Sequence, residues 1–359
     1  MTILPTVRAP GKLFIAGEYA VVETGMPAIL VALDRFVTVS ITASKDYGSI
    51  ISKQYQGKLI WQREGNKMVF DNRDNPFQYI LTAIQLTEEY AQQQNAQLKL
   101  FHLRVDSQLD SADGKKYGLG SSATVTVATV KAVCQFYHLN VNKEIIFKIA
   151  AIAHLNVQQN GSLGDIAASV YGGWIAYHTF DKEWLKFQEN NVTLSELVHM
   201  PWPSLSVQQL TPPPELQLVI GWTGSPASTS HLVDRIEQFK HRQVQQYQAF
   251  LTASKQCLNR MIAGFIQHNL TVIQKEITIN RQLLQHLAAL SGVSIETPLL
   301  TAMCQSAHII NAVAKTSGAG GGDCGIVIAN KHQDLQPMLT MWQKDGIEQL
   351  PLHVQRIEE

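Results

Sequence analysis

Residues 115–133, which read KKYGLGSSATVTVATVKAV, constrain the fold of this chain more than any other stretch. Gly118 and Gly120 allow a tight backbone path, and Ser121 and Ser122 can cap the long apolar segment that follows if it is a helix. A helix that begins at Ser121 leaves several backbone N–H groups of the turn without helical partners, at the positive end of the helix dipole. The stretch therefore predicts an anion site suited to phosphates. Its two hydroxyls could reach phosphate oxygens or a Mg²⁺ ion held by them.

The local propensities of the same stretch favour a different structure. Residues 124–130 are rich in Thr and Val, which are β-branched and prefer strands. We nevertheless predict a helix, because the apolar run continues to Phe136 and no turn residues occur before residues 138–140. A Gly-Ser turn is more often structural than phosphate-binding, so a functional interpretation depends on companion motifs elsewhere in the chain.

The composition indicates a globular protein without a polyanionic partner. The 359 residues are 45% hydrophobic and 16% charged, enough for a well-buried core and, by length, two domains. Lys plus Arg and Asp plus Glu both number 29, so the formal net charge is zero. With no long basic run, binding to nucleic acid (an RNA-binding module included) or to an anionic membrane surface is disfavoured.

The cysteines and the N-terminus predict a cytoplasmic protein. Cys134, Cys257, Cys304 and Cys324 show neither a CxxC motif nor a Cys/His metal spacing, which is typical of reduced thiols. The opening sequence MTILPTVRAPGK lacks the pattern of a signal peptide, and no apolar run approaches the length of a membrane span. We therefore expect a soluble protein with no membrane partner.

The first half of the chain predicts a β-rich start followed by alternating helices and strands. A turn at Pro10-Gly11 and another at 34–35 would separate four short strands, and glycines in 43–73 indicate a β meander. Asn75 and Pro76 are suited to the N-cap and the first position of a helix. The predicted strands are 6–9, 13–16, 28–33, 36–41, 97–105 and 173–177, and the predicted helices are 75–93, 121–136, 142–157 and a short one after the turn at 160–165.

Residues 201–214 (PWPSLSVQQLTPPP) mark the clearest change of composition. We place the division between two domains here, with the first spanning 1–205 and the second 206–359. Apolar residues at helical spacing predict one long helix over 230–268. The remaining predicted elements are helices 272–290, 298–315 and 335–344 and strands 216–222, 326–329 and 346–354.

Three glycine-bounded motifs stand far apart: residues 10–22 (PGKLFIAGEYAVV), 118–123 (GLGSSA) and 316–326 (TSGAGGGDCGI). In this order and at these separations they resemble the three signature motifs of the GHMP kinases, and the resemblance spans essentially the whole chain. It implies an α+β, two-domain fold with a ribosomal-protein-like N-terminal domain, which binds nucleotide through the 118–123 helix. The C-terminal domain would be ferredoxin-like, with the active site between the two.

Within this superfamily the chain resembles the bacterial type of phosphomevalonate kinase. Glu18-Tyr19 stands where mevalonate kinases usually have Glu-His, and Gly114 stands where the usual proline would fall. No galactokinase-type sugar motif is visible near Gly17, nor a decarboxylase-type opening. The resemblance implies phosphorylation of 5-phosphomevalonate by ATP with Mg²⁺, giving 5-diphosphomevalonate and ADP for isoprenoid synthesis.

Phosphoryl transfer needs positioning and cations around the developing charge. Lys12 follows the Pro-Gly turn, where its ammonium could bridge the γ-phosphate and the acceptor, and Glu18 could bind the metal or orient Lys12. Asp165 matches the catalytic aspartate of the superfamily by position, and its structural alternative is a helix N-cap. The acceptor is a phosphate with a second pKa of about 6, so it needs little deprotonation. Asp165 could therefore orient Lys12 or the substrate hydroxyl instead of acting as a general base.

The resemblance also assigns binding residues, although a Ser/Thr run before a helix can be plain capping and a surface lysine can be merely solvated. Asp323 could hold its loop or assist metal binding. We expect adenine near the helix start at Asn75. The nucleotide site would comprise Lys115, Lys116, Gly118, Leu119, Gly120, Ser121, Ser122 and Ala123, with Ser121 and Ser122 as metal ligands. The acceptor site would comprise Glu18, Tyr19, Ser228, Ser230, His231, Gly318, Ala319, Gly320, Gly321 and Asp323.

Two other functions compete with this interpretation. A mevalonate kinase would share the scaffold but needs a firm general base for its alcohol acceptor, so Asp165→Asn would abolish its turnover more completely. A non-catalytic GHMP-fold binding protein should have lost Lys12 or Asp165, and both are present.

Overall fold

The computed structural model describes residues 6–53, 57–70, 76–110, 117–224 and 229–357. Within these ranges the chain forms two β-sheets covered by helices. None of the helices in this part of the chain is long and apolar enough to cross a bilayer.

The first sheet has eight strands in the order β5-β4-β3-β6-β2-β7-β8, and β1 pairs with β2 outside this path. Its neighbouring strands are antiparallel except β3 and β6, which are parallel. The predicted meander is confirmed as β3, β4 and β5. The strands are β1 (Thr6–Ala16), β2 (Pro27–Ser44), β3 (Gly48–Ser52), β4 (Gly57–Glu64), β5 (Lys67–Phe70), β6 (Leu100–Ser107), β7 (Trp174–His178) and β8 (Ser206–Leu210).

The two turns predicted near the N-terminus are wrong, because β1 and β2 run through them. At Pro10 the register of β1 against β2 shifts, which accommodates a proline without an N–H and lets Gly11 pass close to Leu119. At Asp34 the strand continues because the C-terminal segment binds beside it, with Asp34 N–H donating to His353 O at 2.9 Å. Distant partners therefore override both local turn patterns.

The helices of the first half lie where the sequence predicts them, with one shifted start. The helix predicted from Asn75 begins at Gln78 with Phe77 as N-cap; Asn75 itself lies outside the described residues. Two short helices in 181–200 were not predicted. The helices are α1 (Gln78–Gln93), α2 (Ser121–Phe136), α3 (Lys143–Gln158), α4 (Gly164–Tyr171), α5 (Lys182–Glu189) and α6 (Leu194–His199).

The second sheet is antiparallel, with the order β10-β11-β9-β12. Together with the helices between β9 and β10 and the helix after β11, it gives the β-α-β-β-α-β order of the ferredoxin-like fold, as predicted. Its strands are β9 (Leu216–Trp222), β10 (Val313–Thr316), β11 (Cys324–Asn330) and β12 (Glu348–Leu350). The hairpin between β10 and β11 carries the glycine cluster.

Three predicted elements of the second half differ in the structure. The long helix over 230–268 breaks at Gln243, and this lets Phe239 and Tyr247 pack into the same buried cluster. The helix predicted to reach Lys315 ends at Ser306, and the strand predicted over 346–354 ends at Leu350. The helices are α7 (Thr229–Arg242), α8 (Val244–Ile266), α9 (Leu270–Ser291), α10 (Pro298–Ser306) and α11 (Gln336–Asp345).

The division at 205/206 stays a prediction. The first sheet extends to Leu210, because β8 pairs with β7 along its whole length. Beyond Leu210 the chain crosses to the second sheet through 211–215.

Candidate active site

A cavity of about 260 Å³ lies where the three glycine-bounded motifs meet. Its walls come from β1 and the turn after it, the start of α2, the end of α3 with the turn at 160–165, and the β10–β11 hairpin. The predicted site residues on these walls are Lys12, Glu18, Tyr19, Gly118, Gly120, Ser121, Ser122, Asp165, Gly318, Ala319 and Asp323.

Lys12 is held beside the turn that opens α2. Its backbone N–H donates to Leu119 O at 3.0 Å, and its Nζ lies 3.4 Å from Gly118 O. The carbonyl of Pro10, two residues earlier, accepts a hydrogen bond from Ser169 of α4 at 2.8 Å. These contacts bring the ammonium to the cavity and keep β1 in place between two helices.

The start of α2 leaves both serine hydroxyls uncommitted to capping. The N-cap is Gly120, in the left-handed region with φ 78°, so the predicted capping by Ser121 and Ser122 is wrong. A Cβ at Gly120 would lie 2.7 Å from Lys12 Cε, so a side chain has no room there. The backbone N–H groups of this first helical turn have no helical partners and lie at the positive end of the helix dipole, an arrangement that suits an anion.

Asp165 lies in the first turn of α4. The N-cap of that helix is Leu163, with φ 61°, so the N-cap alternative for Asp165 is wrong. Asp165 Oδ1 accepts the Ile166 N–H at 3.0 Å. The carboxylate also acts on a neighbour, because it opposes the burial that lowers the pKa of His154.

Glu18 is almost fully buried and is held by the glycine hairpin. Its Oε1 accepts hydrogen bonds from Lys315 Nζ at 2.5 Å and from Gly318 N–H at 3.2 Å. The neighbouring Tyr19 hydroxyl donates to Ala319 O at 2.5 Å. Burial, with the charge of Glu18 adding to it, raises the pKa of Tyr19, so the phenol remains a donor.

Two residues of the α2 turn and two glycines of the hairpin were predicted to bind substrates but do not line the cavity. Leu119 and Ala123 are buried, and Leu119 contributes the carbonyl that Lys12 contacts. Gly320 and Gly321 fasten the hairpin to another loop: Gly321 N–H donates to Ile295 O at 2.8 Å, and a Cβ at Gly320 would overlap that same carbonyl.

The remaining predicted residues belong to the segment before Tyr117 and to the region around the start of α7. Lys115, Lys116 and Ser228 lie outside the described residues, and Ser230 falls in the first turn of α7. His231, the next residue of α7, is exposed and is absent from the cavity walls. Among the described side chains of α7, Val233 lines the cavity.

Several polar residues of the site were not predicted from the sequence. His154 lies on the buried side of α3, with its Nε2 3.4 Å from Ser122 Oγ and its ring beside Tyr79. A histidine among the isoleucines and alanines of that helix was a signal that we could have used. Gln158 and Asn160 also line the cavity, and Asn160 Nδ2 donates to Asp234 of α7 at 3.1 Å.

The oxygen atoms of the site suit a hard cation. Among the described residues no three His, Cys, Asp or Glu side chains group closely enough to hold a metal alone. Mg²⁺ does not require such a cage, since it keeps waters and substrate phosphates as ligands. Ser121 and Ser122 line the cavity, and the buried Oε2 of Glu18 has no hydrogen-bond partner within the described ranges. These residues fit Mg²⁺ bound together with nucleotide phosphates.

Comparison with known proteins agrees with this arrangement. A phosphomevalonate kinase from Streptomyces sp. (strain CL190) is 37% identical over 358 residues, covering 96% of this chain and 96% of that protein. A mevalonate kinase from Pyrococcus furiosus is 27% identical, covering 94% of this chain and 96% of that protein. The crystal structure of Streptococcus pneumoniae phosphomevalonate kinase in complex with phosphomevalonate and AMPPNP has a TM-score of 0.85 and 30% identity, covering 98% of this chain and 99% of that one.

Two family profiles match the chain, and both matched ranges contain residues that line the cavity. The GHMP kinases N terminal domain matches residues 78–173, and the GHMP kinases C terminal matches residues 261–348. The relative from Streptomyces aligns with nearly the whole chain at 37% identity, and together with the two profile matches this establishes the family. The chain belongs to the GHMP kinase family.

Proposed function

We propose that this chain is a phosphomevalonate kinase, which transfers the γ-phosphoryl group of ATP to 5-phosphomevalonate and releases 5-diphosphomevalonate and ADP in the mevalonate pathway of isoprenoid biosynthesis. The observation that carries the proposal is the convergence of three distant motifs on one cavity. The relative from Streptomyces with that activity aligns over nearly the whole chain, and a structural relative was solved with phosphomevalonate and AMPPNP.

ATP binds with its phosphates at the start of α2. The left-handed Gly120 turns the backbone so that the first N–H groups of the helix face the cavity, and peptide dipoles favour the phosphate charge. The Ser121 and Ser122 hydroxyls supply further oxygens. These serines, together with the phosphates, would hold Mg²⁺, whose charge would offset that of the transferring group.

Lys12 places its ammonium between donor and acceptor phosphates. Both substrates are anionic, so their approach needs a cation, and electrostatic stabilisation of the developing charge is the main catalytic contribution. Asp165 orients Lys12 or the substrate hydroxyl. Because the acceptor phosphate is largely dianionic at neutral pH, its oxygen attacks without a strong general base.

The acceptor binds toward the glycine hairpin and the start of α7. Tyr19, Gly318 and Ala319 line this side of the cavity. Ser228, Ser230 and His231 remain candidates for binding the carboxylate and phosphate of the acceptor. Lys115 and Lys116 remain candidates for the nucleotide phosphates, and Asp323 for holding its loop or assisting the metal. The free cysteines in the described residues are all buried, which supports a place in the reducing cytoplasm.

Release of ADP by the purified protein tests this function. ATP·Mg²⁺ is supplied in parallel with 5-phosphomevalonate, with mevalonate and with buffer. The proposal predicts turnover with 5-phosphomevalonate alone. Turnover with mevalonate would leave the family assignment intact and overturn the substrate, whereas silence with both, with nucleotide still bound, would favour a non-catalytic binding protein.

A further inference from the structure

Lys315 is a fully buried lysine that the catalytic scheme above does not use. It lies on β10, two residues before the glycine-rich part of the hairpin begins at Ser317, with 0% of its surface exposed. Its Nζ contacts Glu18 Oε1 at 2.5 Å and Thr316 O at 2.7 Å. The ion pair thus joins the first motif to the residue that immediately precedes the third, 297 positions later in the sequence.

This pair is not explained by fold stability alone. Removing two charges from water costs several kcal/mol for each ion, and buried ion pairs often stabilise a fold no better than apolar residues of similar volume. The lysine does, however, make the two carboxylate oxygens of Glu18 differ in their hydrogen-bond partners. Oε1 has two donors, Lys315 Nζ and Gly318 N–H, whereas Oε2 is buried without a hydrogen-bond partner in the described part of the chain. Glu18 is among the residues that line the cavity, and Oε2 is its carboxylate oxygen without a partner in the described ranges.

Two further bonds connect the same segments. The Ser317 hydroxyl donates to Phe14 O at 2.8 Å, and the Tyr19 hydroxyl donates to Ala319 O. Because Ser317 and Ala319 flank Gly318, the position of Glu18 and the position of the hairpin are linked. A shift of the Glu18 carboxylate would therefore displace the hairpin that lines the acceptor side of the cavity.

We propose that Lys315 is a positioning residue for phosphoryl transfer, which holds Glu18 Oε1 so that Oε2 faces the bound substrates and the glycine hairpin keeps its distance from the first motif. The inference rests on the proposed kinase function. Lys315 does not itself touch substrate. It acts through Glu18, so its effect on turnover requires the Glu18 carboxylate.

A double-mutant cycle on the full chain tests this dependence. The variants are Lys315→Met, Glu18→Gln and the combination of the two, each assayed for kcat and for KM of both substrates and corrected for the folded fraction. Lys148→Met is the matched control. Lys148 is also fully buried, pairs with Glu144 at 2.6 Å and donates to backbone carbonyls, but it is absent from the cavity walls.

We expect Lys315→Met to lower kcat/KM for 5-phosphomevalonate by about tenfold to a hundredfold, the effect of losing one hydrogen bond to a charged group. The KM for ATP should change by a smaller factor than kcat/KM for 5-phosphomevalonate, because the N–H groups and serines at the start of α2 lie on another wall. In the Glu18→Gln background the same lysine substitution should have no further effect on kcat/KM, since coupled residues are not additive. Lys148→Met should destabilise the fold and leave kcat per folded molecule unchanged.

Wild-type kcat/KM in Lys315→Met would overturn the proposal, and so would losses that multiply in the double variant. An inactive wild type would instead refute the kinase function on which the proposal rests. If Lys315→Met alone does not fold, the comparison of Glu18→Gln with the double variant still tests the proposal. The double variant can fold because it leaves no unpaired buried charge. A double variant that also fails to fold would overturn the proposal, since Lys315 would then serve the fold rather than Glu18.

Discussion

The backbone N–H of Lys12 donates to the carbonyl of Leu119 at 3.0 Å, and this bond fastens the first motif to the turn that opens α2. The turn and the lysine therefore cannot be varied independently. Gly120, the next residue, packs against the Lys12 side chain. Lys12 and the start of α2 therefore form one structural unit.

Lys12→Met should abolish most of the turnover while nucleotide still binds. Removing one preorganised group that stabilises transition-state charge lowers kcat by about 10²- to 10³-fold, and the α2 N–H groups that hold the phosphates stay in place. Steady-state kinetics and titration with a nucleotide analogue measure the two effects. Lys53→Met is the control, because Lys53 is exposed and pairs with Asp106 on the surface; its kcat should equal that of the wild type. Equal kcat in Lys12→Met and wild type would contradict the role of Lys12.

Asp165→Asn should lower kcat by less than Lys12→Met does. The dianionic acceptor needs little deprotonation, so only the orienting role of the carboxylate is lost, at about tenfold to a hundredfold in kcat. The measurement is kcat at saturating substrates for both variants. A loss in Asp165→Asn larger than in Lys12→Met would identify Asp165 as a required general base.

Gly120→Ala should cost both stability and turnover. The left-handed backbone costs an alanine about 1–2 kcal/mol in unfolding free energy, and the new methyl group displaces Lys12. Gly346→Ala separates the two effects, because Gly346 has φ 76° and a Cβ added there would meet no described atom within 4 Å. Chemical denaturation should show similar losses for both variants, and kinetics should show a large fall in kcat for Gly120→Ala alone. Equal kcat in the two variants would contradict the contact with Lys12.

The pKa of His154 predicts a pH dependence of stability. Burial lowers this pKa in the folded chain below its ordinary value of about 6.5, and Asp165 opposes the shift in part. The unfolded chain therefore binds more protons as pH falls through about 6.5, and the free energy of unfolding decreases. Between about pH 7.5 and 5.5 the wild type should lose up to about 1 kcal/mol more than His154→Gln. Parallel denaturation curves for the two proteins would contradict the lowered pKa.

The cavity thiol should resist alkylation despite its position. Cys324 lines the cavity, but burial raises its pKa, so the reactive thiolate is scarce at neutral pH. Burial also raises the pKa of Cys134 and Cys304 to about 12. Iodoacetamide at about pH 8 should leave activity intact while the urea-unfolded chain is labelled on every cysteine. Rapid inactivation with labelling of Cys324 would show that the thiol is accessible and ionised.

The secondary-structure elements that could be predicted are those whose start or cap is set by residues close in sequence. The start of α2 at Ser121 and the cap of α3 at Asn142, whose Oδ1 accepts the Ile145 N–H, follow from neighbouring residues. The turns predicted at Pro10 and Asp34 do not form. Their strands continue because each is hydrogen-bonded there to a residue more than a hundred positions away, Leu119 or His353.

The site residues also divide into those predicted from local motifs and those whose partners are distant in sequence. Lys12, Glu18 and Asp165 were predicted from motifs, and the fold brings them to one cavity. His154 and Lys315 were missed because each lies in an apolar segment that predicts core. Their polar partners, Ser122 and Glu18, become neighbours only in the folded chain.

A competition experiment tests the central claim most directly. The purified protein receives limiting ATP·Mg²⁺ with equal concentrations of mevalonate and 5-phosphomevalonate, and the phosphorylated products are resolved by mass spectrometry. The account predicts that 5-diphosphomevalonate accumulates in proportion to the ATP consumed while mevalonate is unchanged. Consumption of mevalonate with accumulation of 5-phosphomevalonate would contradict it.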